Sequence, residues 1–273
     1  MNSLLLNTDG VHIPQLGYGV WQVPAEEAAQ AVTTALKAGY RHVDTASAYD
    51  NEEGVGQAVR ESELPRRKVF VTTKLWNADH GRAEAAFEES LARLGLDYID
   101  LFLIHWPVPQ QDKYVQAWKA MEKIYRDGRA KAIGTSNFTI ATLTRLMNET
   151  DIVPSINQIE LHPYLQQREM RAFHEANGIL TEAWSPLGQG QGLLDDPALA
   201  VLSGKYGKTP AQIVLRWHLQ LGNVVIPKSV TPSRIAENIG VFDFILDPED
   251  MAAIGALNRG RRFGPDPDTF NMT

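Results

Sequence analysis

The sequence contains no cysteine among its 273 residues. This absence excludes disulfide bonds, a cysteine nucleophile, iron–sulfur clusters and cysteine-ligated zinc. Histidine is also sparse, and the closest two of the seven histidines, His162 and His174, are twelve residues apart, so no helical pair of zinc ligands exists. We therefore expect a protein without disulfides and without a bound metal.

Long apolar runs and an excess of positive charge are absent too. No segment approaches the ~18 apolar residues of a membrane helix, and residues 1–10 lack the basic residue that precedes the apolar core of a signal peptide. The formal net charge is −7, which disfavours a surface built for nucleic acid or anionic lipid. We expect a cytoplasmic enzyme or small-molecule binding protein, with neither a nucleic-acid nor a membrane partner.

Short apolar runs recur along the whole chain, and helical patterns separate them. Runs of this kind are typical of strands that are buried on both faces of a parallel sheet. The eight predicted strands cover residues 17–21, 41–44, 69–75, 99–105, 130–137, 155–160, 179–184 and 224–228. The first intervening helix shows the pattern well: residues 25–38 follow Pro24, begin with Glu26 and Glu27, and end at Gly39.

Eight strand–helix units without an interruption predict a closed (β/α)8 barrel, whose typical size is about 250 residues. The alternative is a doubly wound open sheet, which usually carries G-x-G-x-x-G after its first strand. Here Gly17 and Gly19 are followed by Gln22 instead of a third glycine. We predict one TIM-barrel domain over residues 1–273, with additional helices after strand seven and at the C-terminus.

Four polar residues fall at or just after the ends of predicted strands two, three and four: Asp44, Tyr49, Lys74 and His105. In a (β/α)8 barrel the active site lies at these ends. Each residue alone has an ordinary interpretation, because an aspartate can cap a helix, a lysine can be an exposed charge and a histidine can belong to the core. Their clustering at three consecutive strand ends favours a shared function.

The chemistry available to these four side chains is the reduction of a carbonyl. A tyrosine is protonated at pH 7 and can donate its proton, and a nearby ammonium lowers the tyrosine pKa by stabilising the phenolate. Lys74 can supply that ammonium, Asp44 can keep it charged, and His105 can hold the carbonyl oxygen beside Tyr49. A cofactor has to provide the hydride, because no side chain supplies one.

The motifs around these residues resemble those of the aldo-keto reductase family over essentially the whole chain. They are Gly39-Tyr-Arg-His-Val-Asp44-Thr-Ala-Ser-Ala-Tyr49, Val71-Thr-Thr-Lys74-Leu75, Asp100-Leu-Phe-Leu-Ile-His105-Trp106, Ile133-Gly-Thr-Ser136-Asn137, Asn157-Gln158-Ile-Glu-Leu-His162 and Ile226-Pro-Lys228-Ser229-Val230. Within the family, Trp184-Ser-Pro-Leu-Gly-Gln-Gly190 is most similar to the bacterial 2,5-diketo-D-gluconate reductase branch.

The resemblance implies a TIM barrel with an N-terminal β-hairpin, a monomeric state and NADPH in preference to NADH. It also implies that Tyr49 is the general acid of a tetrad with Asp44, Lys74 and His105. The residues implied in cofactor binding are Ser136, Asn137, Gln158, Trp184, Ser185, Leu187, Gly188, Gln189, Lys228, Ser229, Val230, Arg234, Glu237 and Asn238. Of these, Lys228, Ser229, Val230 and Arg234 match the site for the adenosine 2′-phosphate.

The implied substrate pocket contains Trp21, Ala46, Trp76 and Trp106 beside the tetrad. The connection that follows Trp106 and the C-terminal tail are both short, which suggests an open pocket for small or varied substrates, and we interpret the basic cluster at 259–262 as a solvated tail. We expect NADPH-dependent reduction of aldehydes and ketones, including keto-sugars such as 2,5-diketo-D-gluconate. Two alternatives stay open: a nucleotide sensor without catalysis, and a barrel hydrolase or lyase that uses no nicotinamide.

Overall fold

The computed structural model describes residues 3–6 and 10–272, and ten strands and ten helices account for most of them. The strands are β1 (Ser3–Leu5), β2 (His12–Pro14), β3 (Tyr18–Gly19), β4 (His42–Asp44), β5 (Phe70–Leu75), β6 (Ile99–Ile104), β7 (Ala130–Ser136), β8 (Ile156–Glu160), β9 (Leu180–Trp184) and β10 (Val224–Val225). The helices are α1 (Ala25–Ala38), α2 (Glu52–Glu61), α3 (Ala83–Leu94), α4 (Tyr114–Arg126), α5 (Ile140–Glu149), α6 (Arg168–Ala176), α7 (Pro197–Tyr206), α8 (Pro210–Gln220), α9 (Pro232–Ile239) and α10 (Pro248–Gly255).

Strands β3 to β10 form one parallel sheet in which each strand pairs with the next along the chain. A parallel bridge between Leu16 and Val225 then joins the first strand to the last. Two hydrogen bonds make this closure, from Gly17 N to Val225 O (2.8 Å) and from Val225 N to Gln15 O (2.9 Å). The predicted (β/α)8 barrel is therefore confirmed.

The outer strands of the sequence prediction are shorter in the structure than the apolar runs suggested. Residues 17–21 contribute only Tyr18–Gly19 to the sheet, and residues 224–228 contribute only Val224–Val225. Pro227 has no N–H to donate to a neighbouring strand, so regular pairing cannot continue through it. Lys228 and the residues after it consequently lie outside the sheet, where they can line a cleft.

The helices begin and end where local chemistry favours it. Gly39 ends α1 with a φ of 109°, a conformation open to glycine, and donates back to the last helical carbonyls. Thr209 and Gln212 form a capping box at the start of α8, with Pro210 at the first helical position. The additional helices predicted after the seventh barrel strand and at the C-terminus are α7 and α10.

An antiparallel hairpin of β1 and β2 covers one end of the barrel. Its Leu6 and Ile13 are buried against Phe70 and Ile156, the first residues of β5 and β8. The hairpin therefore closes the N-terminal end of the strands and leaves the C-terminal end for the functional site, as in other barrels of this type. No helix among the described residues is long and apolar enough to cross a membrane.

Candidate active site

The four predicted tetrad residues meet at the C-terminal end of the barrel. Asp44 is the last residue of β4, Lys74 lies one residue before the end of β5, and His105 directly follows β6. Tyr49 comes from a short 3-10 helix, Ser47–Tyr49, which follows β4 and folds back over Lys74. Because neighbouring parallel strands end at the same edge, a few residues of each strand suffice to bring the four together.

Lys74 and Asp44 form a buried ion pair at the base of this cluster. Lys74 Nζ donates to Asp44 Oδ1 at 2.6 Å and to the carbonyl of Thr45 at 2.8 Å, and the Lys74 side chain has no exposed surface. Burial alone would lower the pKa of Lys74, but its interactions with Asp44, Tyr49 and Glu182 together outweigh burial, and the pKa is raised. Lys74 is therefore a permanent cation at the floor of the site.

Tyr49 lies above that cation, with Lys74 Nζ 5.1 Å from its ring centroid. Burial raises the pKa of the Tyr49 phenol, and the Lys74 ammonium opposes the rise. Lys74 thus lowers the pKa of Tyr49, as the sequence predicted, but burial has the larger effect on that pKa in the protein without a ligand. Tyr49 keeps its proton at neutral pH and can donate it to a bound oxygen.

His105 packs between Tyr49 and Trp76, with ring centroids 5.5 Å and 5.2 Å away. Burial, assisted by the charge of Lys74, lowers the pKa of His105 well below its ordinary value, so its ring is neutral at pH 7. Its Nδ1 atom is buried and has no hydrogen-bond partner within the described part of the chain. A neutral imidazole in this position can hydrogen-bond a polar group of a ligand without adding a second positive charge.

These residues open onto a large cleft of about 1520 Å³. It extends from Tyr49 past the ends of β7, β8 and β9 to the start of α9, and Trp21, Trp76 and Trp106 also line it. Ala46 differs from the sequence prediction, because it is fully buried behind the 3-10 helix and does not line the cleft. Three tryptophan rings beside a few polar groups are typical of a small-ligand pocket.

The middle of the cleft carries the amide and hydroxyl groups predicted to hold a carboxamide. Gln158 Nε2 donates to Asp44 Oδ2 at 2.8 Å, and Ser136 Oγ donates to the backbone carbonyl of Gln158 at 3.1 Å. Asn137 Oδ1 accepts a hydrogen bond from Trp184 Nε1 at 2.8 Å, which holds that indole at the cleft wall. The structure thus brings these four side chains together around one space large enough for a flat ring.

The far end of the cleft contains cations that lack acidic partners. Lys228 and Arg234 line it together with Ser229, and no carboxylate among the described residues forms a salt bridge with either cation. Glu237 and Asn238 follow on α9 and also line it. Two free cations and a hydroxyl can bind a phosphate with charge-assisted hydrogen bonds.

Not every predicted cofactor residue reaches the cleft surface. Ser185, Leu187 and Gln189 line it, whereas Gly188 is buried against Leu193. Val230 is 45% exposed and is not among the residues that line the cleft.

The C-terminal segment forms a wall of the cleft, which the sequence reasoning missed. Phe263, Gly264, Pro265, Phe270 and Met272 all line it, and the Phe270 ring lies 4.3 Å from the Trp106 ring. A Cβ atom on Gly264 would come within 2.4 Å of the Trp184 ring, so only glycine permits this approach. The pocket is therefore less open than the short connections suggested.

Buried groups at the end of β8 fasten this segment. Glu160 accepts hydrogen bonds from Phe263 N at Oε1 (2.6 Å) and from Gly264 N at Oε2 (2.9 Å), and His162 Nε2 lies 3.0 Å from the same Oε1. The basic cluster is largely exposed to solvent as predicted, but it is not a free tail, because Arg259 lies over the Tyr164 ring and donates to Asp196. The signal in the sequence was the pair of ionisable residues Glu160 and His162 at the end of a predicted buried strand.

Comparison with known proteins agrees with this geometry. The model of the aldo/keto reductase family matches residues 14–259. The chain belongs to the aldo-keto reductase family. It is therefore an oxidoreductase of the class that the sequence motifs indicated.

Individual relatives are similar over nearly the whole chain. Methylglyoxal reductase DkgA of Escherichia coli K12 is 56% identical over 263 residues, covering 96% of both chains. An aldo-keto reductase of Mycolicibacterium smegmatis is 54% identical over 275 residues and all of both chains. Among solved structures, a Gox0644 mutant in complex with NADPH is 48% identical over 98% of each chain, with a TM-score of 0.94.

Proposed function

We propose that this aldo-keto reductase uses NADPH to reduce aldehydes and ketones to alcohols, with Tyr49 as the general acid. The observation that carries the proposal is the protonated Tyr49 above the buried Lys74–Asp44 pair, at one end of a cleft with free cations at the other. A similar protein, the Gox0644 mutant, is described in complex with NADPH.

The described residues fit this cofactor along the whole cleft. Lys228 and Arg234 would hold the 2′-phosphate, and Trp184 would stack against the nicotinamide. The side-chain oxygens of Gln158 and Asn137 can each accept a hydrogen bond from the carboxamide, because the amide hydrogens of both residues are already donated within the protein. When bound, the dihydronicotinamide supplies the hydride that reduces the carbonyl carbon.

The side chains supply the proton and the orientation. His105, neutral because its pKa is lowered by burial, can hydrogen-bond the carbonyl oxygen and keep it next to the Tyr49 hydroxyl. Tyr49 then transfers its proton to that oxygen as negative charge develops there. Lys74, held by Asp44, stabilises the resulting phenolate.

The preferred substrates are small carbonyl compounds, because Trp21, Trp76, Trp106 and Phe270 narrow the catalytic end of the cleft. Several relatives are named methylglyoxal reductases, which makes short 2-oxoaldehydes the first class to test. Keto-sugars such as 2,5-diketo-D-gluconate are the second class. We further propose that the protein acts as a cytoplasmic monomer, because the residues of the proposed site all lie on one chain.

The deciding experiment replaces Tyr49 with phenylalanine. Tyr49→Phe keeps the ring packing but removes the proton donor, so carbonyl-dependent oxidation of NADPH should fall by at least ~100-fold, the usual contribution of a positioned general acid. NADPH binding should stay within a few-fold of the native value.

Tyr98→Phe is the matched control, since Tyr98 lies directly before β6 at the opposite end of the barrel, and it should keep full activity. Retained turnover in Tyr49→Phe would remove that residue from the mechanism. Tight NADPH binding without any rate on a carbonyl panel would favour the sensor alternative.

A further inference from the structure

A second carboxyl group, Glu182, lies inside the barrel beneath the catalytic tetrad. It is the middle residue of β9, its side chain is completely buried, and it belongs to none of the predicted sites. A buried carboxyl without a dedicated cation is rare, because removing an ionised group from water is costly unless it is paired. Because it lies next to the proposed cofactor cleft, we looked for a function of this carboxyl group.

The Gln158 side-chain amide connects Glu182 to the tetrad. Gln158 Nε2 donates one hydrogen bond to Asp44 Oδ2 at 2.8 Å and the other to Glu182 Oε2 at 3.1 Å. Both amide hydrogens are thereby used, so the Gln158 carbonyl oxygen is the atom left for a ligand in the cleft. The remaining oxygen of Glu182, Oε1, has no hydrogen-bond partner among the residues that the structure describes.

Among the charged and titratable groups that surround Glu182, only Lys74 is a cation. His42 and Asp44 face it from β4, Lys74 faces it from β5, and Tyr49 lies above Lys74. His42 Nε2 is 3.9 Å from Glu182 Oε1, but burial lowers the pKa of His42 to about 3, so this ring is neutral. Burial, reinforced by the negative charge of Asp44, raises the pKa of Glu182 to about 8.

The free site is therefore neutral: Lys74 is positive, Asp44 is negative, and Glu182 carries a proton. A bound dihydronicotinamide ring is uncharged, so the net charge of Lys74, Asp44 and Glu182 stays at zero. The oxidised ring brings one positive charge, and the buried cluster regains neutrality only when Glu182 gives up its proton. An uncompensated charge in this interior is costly, so the two events favour each other.

We propose that Glu182 is a positioning residue whose protonation follows the redox state of the cofactor: neutral with NADPH, and ionised with NADP+ after its carboxyl proton has passed to the solvent. Gln158 stays bonded to the carboxyl in both states, so the change of charge occurs without a change of shape. The inference rests on the proposed NADPH site, but it does not depend on the carbonyl substrate.

The test compares proton release on binding of the two cofactor forms. Titration calorimetry at pH 7 in phosphate and in Tris, whose heats of ionisation differ, gives the number of protons exchanged. Both forms carry the same 2′-phosphate, so its own proton exchange cancels in the difference. The native protein should release about one proton more with NADP+ than with NADPH.

The Glu182→Gln variant mimics the neutral carboxyl and should lose this difference while it still binds NADPH within a few-fold of the native protein. Glu122→Gln is the matched control, because Glu122 is another buried glutamate on α4, away from the cleft. It should keep the native difference. A Glu182→Gln variant that weakens both forms equally and keeps the proton difference would show a merely structural role.

The native protein alone offers a second measurement. Quenching of tryptophan fluorescence gives the Kd of each cofactor form, and the Kd of NADP+ relative to that of NADPH should fall about tenfold from pH 6 to pH 7. A constant ratio would overturn the role of Glu182. Failure of both forms to bind would instead overturn the cofactor site itself, so the two failures can be told apart.

Discussion

The Lys74–Asp44 pair allows a quantitative test of the electrostatics beneath Tyr49. Lys74→Met removes the cation and keeps most of the side-chain volume. Asp44 is then left as a buried carboxylate whose remaining partner in the cluster is the amide of Gln158. Breaking a buried ion pair from one side typically costs about 3–5 kcal/mol of stability.

The pH dependence of this cost follows from the same structure. A buried carboxylate that has lost its cation can escape its charge by taking up a proton, and the free-energy cost of that uptake falls by about 1.4 kcal/mol for each pH unit of acidification. The folded variant then binds more protons than its unfolded chain, so its stability falls as the pH rises. The penalty for Lys74→Met should therefore be several-fold smaller at pH 5 than at pH 7.

Urea unfolding followed by tryptophan fluorescence measures the penalty at both pH values, relative to the native protein. Lys37→Met, an exposed lysine near the end of α1, is the control and should stay within about 0.5 kcal/mol. The double variant Lys74→Met with Asp44→Asn leaves no buried charge in the pair, so it should cost clearly less than the sum of the two single variants. Additive costs, or a penalty for Lys74→Met that does not change with pH, would refute the buried pair as described.

Two further predictions concern the cofactor and the acid limit of stability. Arg234→Ala should weaken NADPH binding by about 10–100-fold, the value of a charge-assisted phosphate contact, and change NADH binding less than about threefold in fluorescence titrations; equal losses would refute the phosphate site. Burial lowers the pKa values of His42 and His218 to about 3 and those of His80 and His174 to about 4. Below pH 6.5 the unfolded chain binds protons at these histidines that the folded protein excludes. The free energy of unfolding, measured by calorimetry, should therefore fall by up to about 1.4 kcal/mol for each histidine as the pH is lowered by one unit. His174→Gln should make this slope shallower.

Much of the fold was predictable because a (β/α)8 barrel repeats one local pattern. Each buried strand needs a short apolar run and each helix needs an apolar face and caps, and these signals lie close together in sequence. The predicted helix at 25–38 agrees with α1 residue for residue. The least accurate boundaries are those of the first and last barrel strands. Pro227 is a local reason for the early end of β10, whereas the bridge between residues 16 and 225 forms only when the barrel closes and has no local signal.

The C-terminal wall of the cleft could not be predicted from local sequence patterns. Phe270 has no periodic pattern around it, and its contact with Trp106 joins residues that are far apart in the chain. The anchor is the buried Glu160, which takes the backbone N–H groups of Phe263 and Gly264. An ionisable residue inside a buried strand indicates that something pairs with it, but the partner is known only once the chain is folded.

The sequence by itself determined the succession of strands and helices, and it placed Asp44, Tyr49, Lys74 and His105 at one edge, because strand ends in a parallel barrel share that edge. Only the tertiary structure decided the electrostatic state of the site. Burial outweighs the ammonium at Tyr49, and one amide joins Asp44 to Glu182 across the interior. These effects depend on distances between strands and on the exclusion of water, which exist only after the barrel has closed.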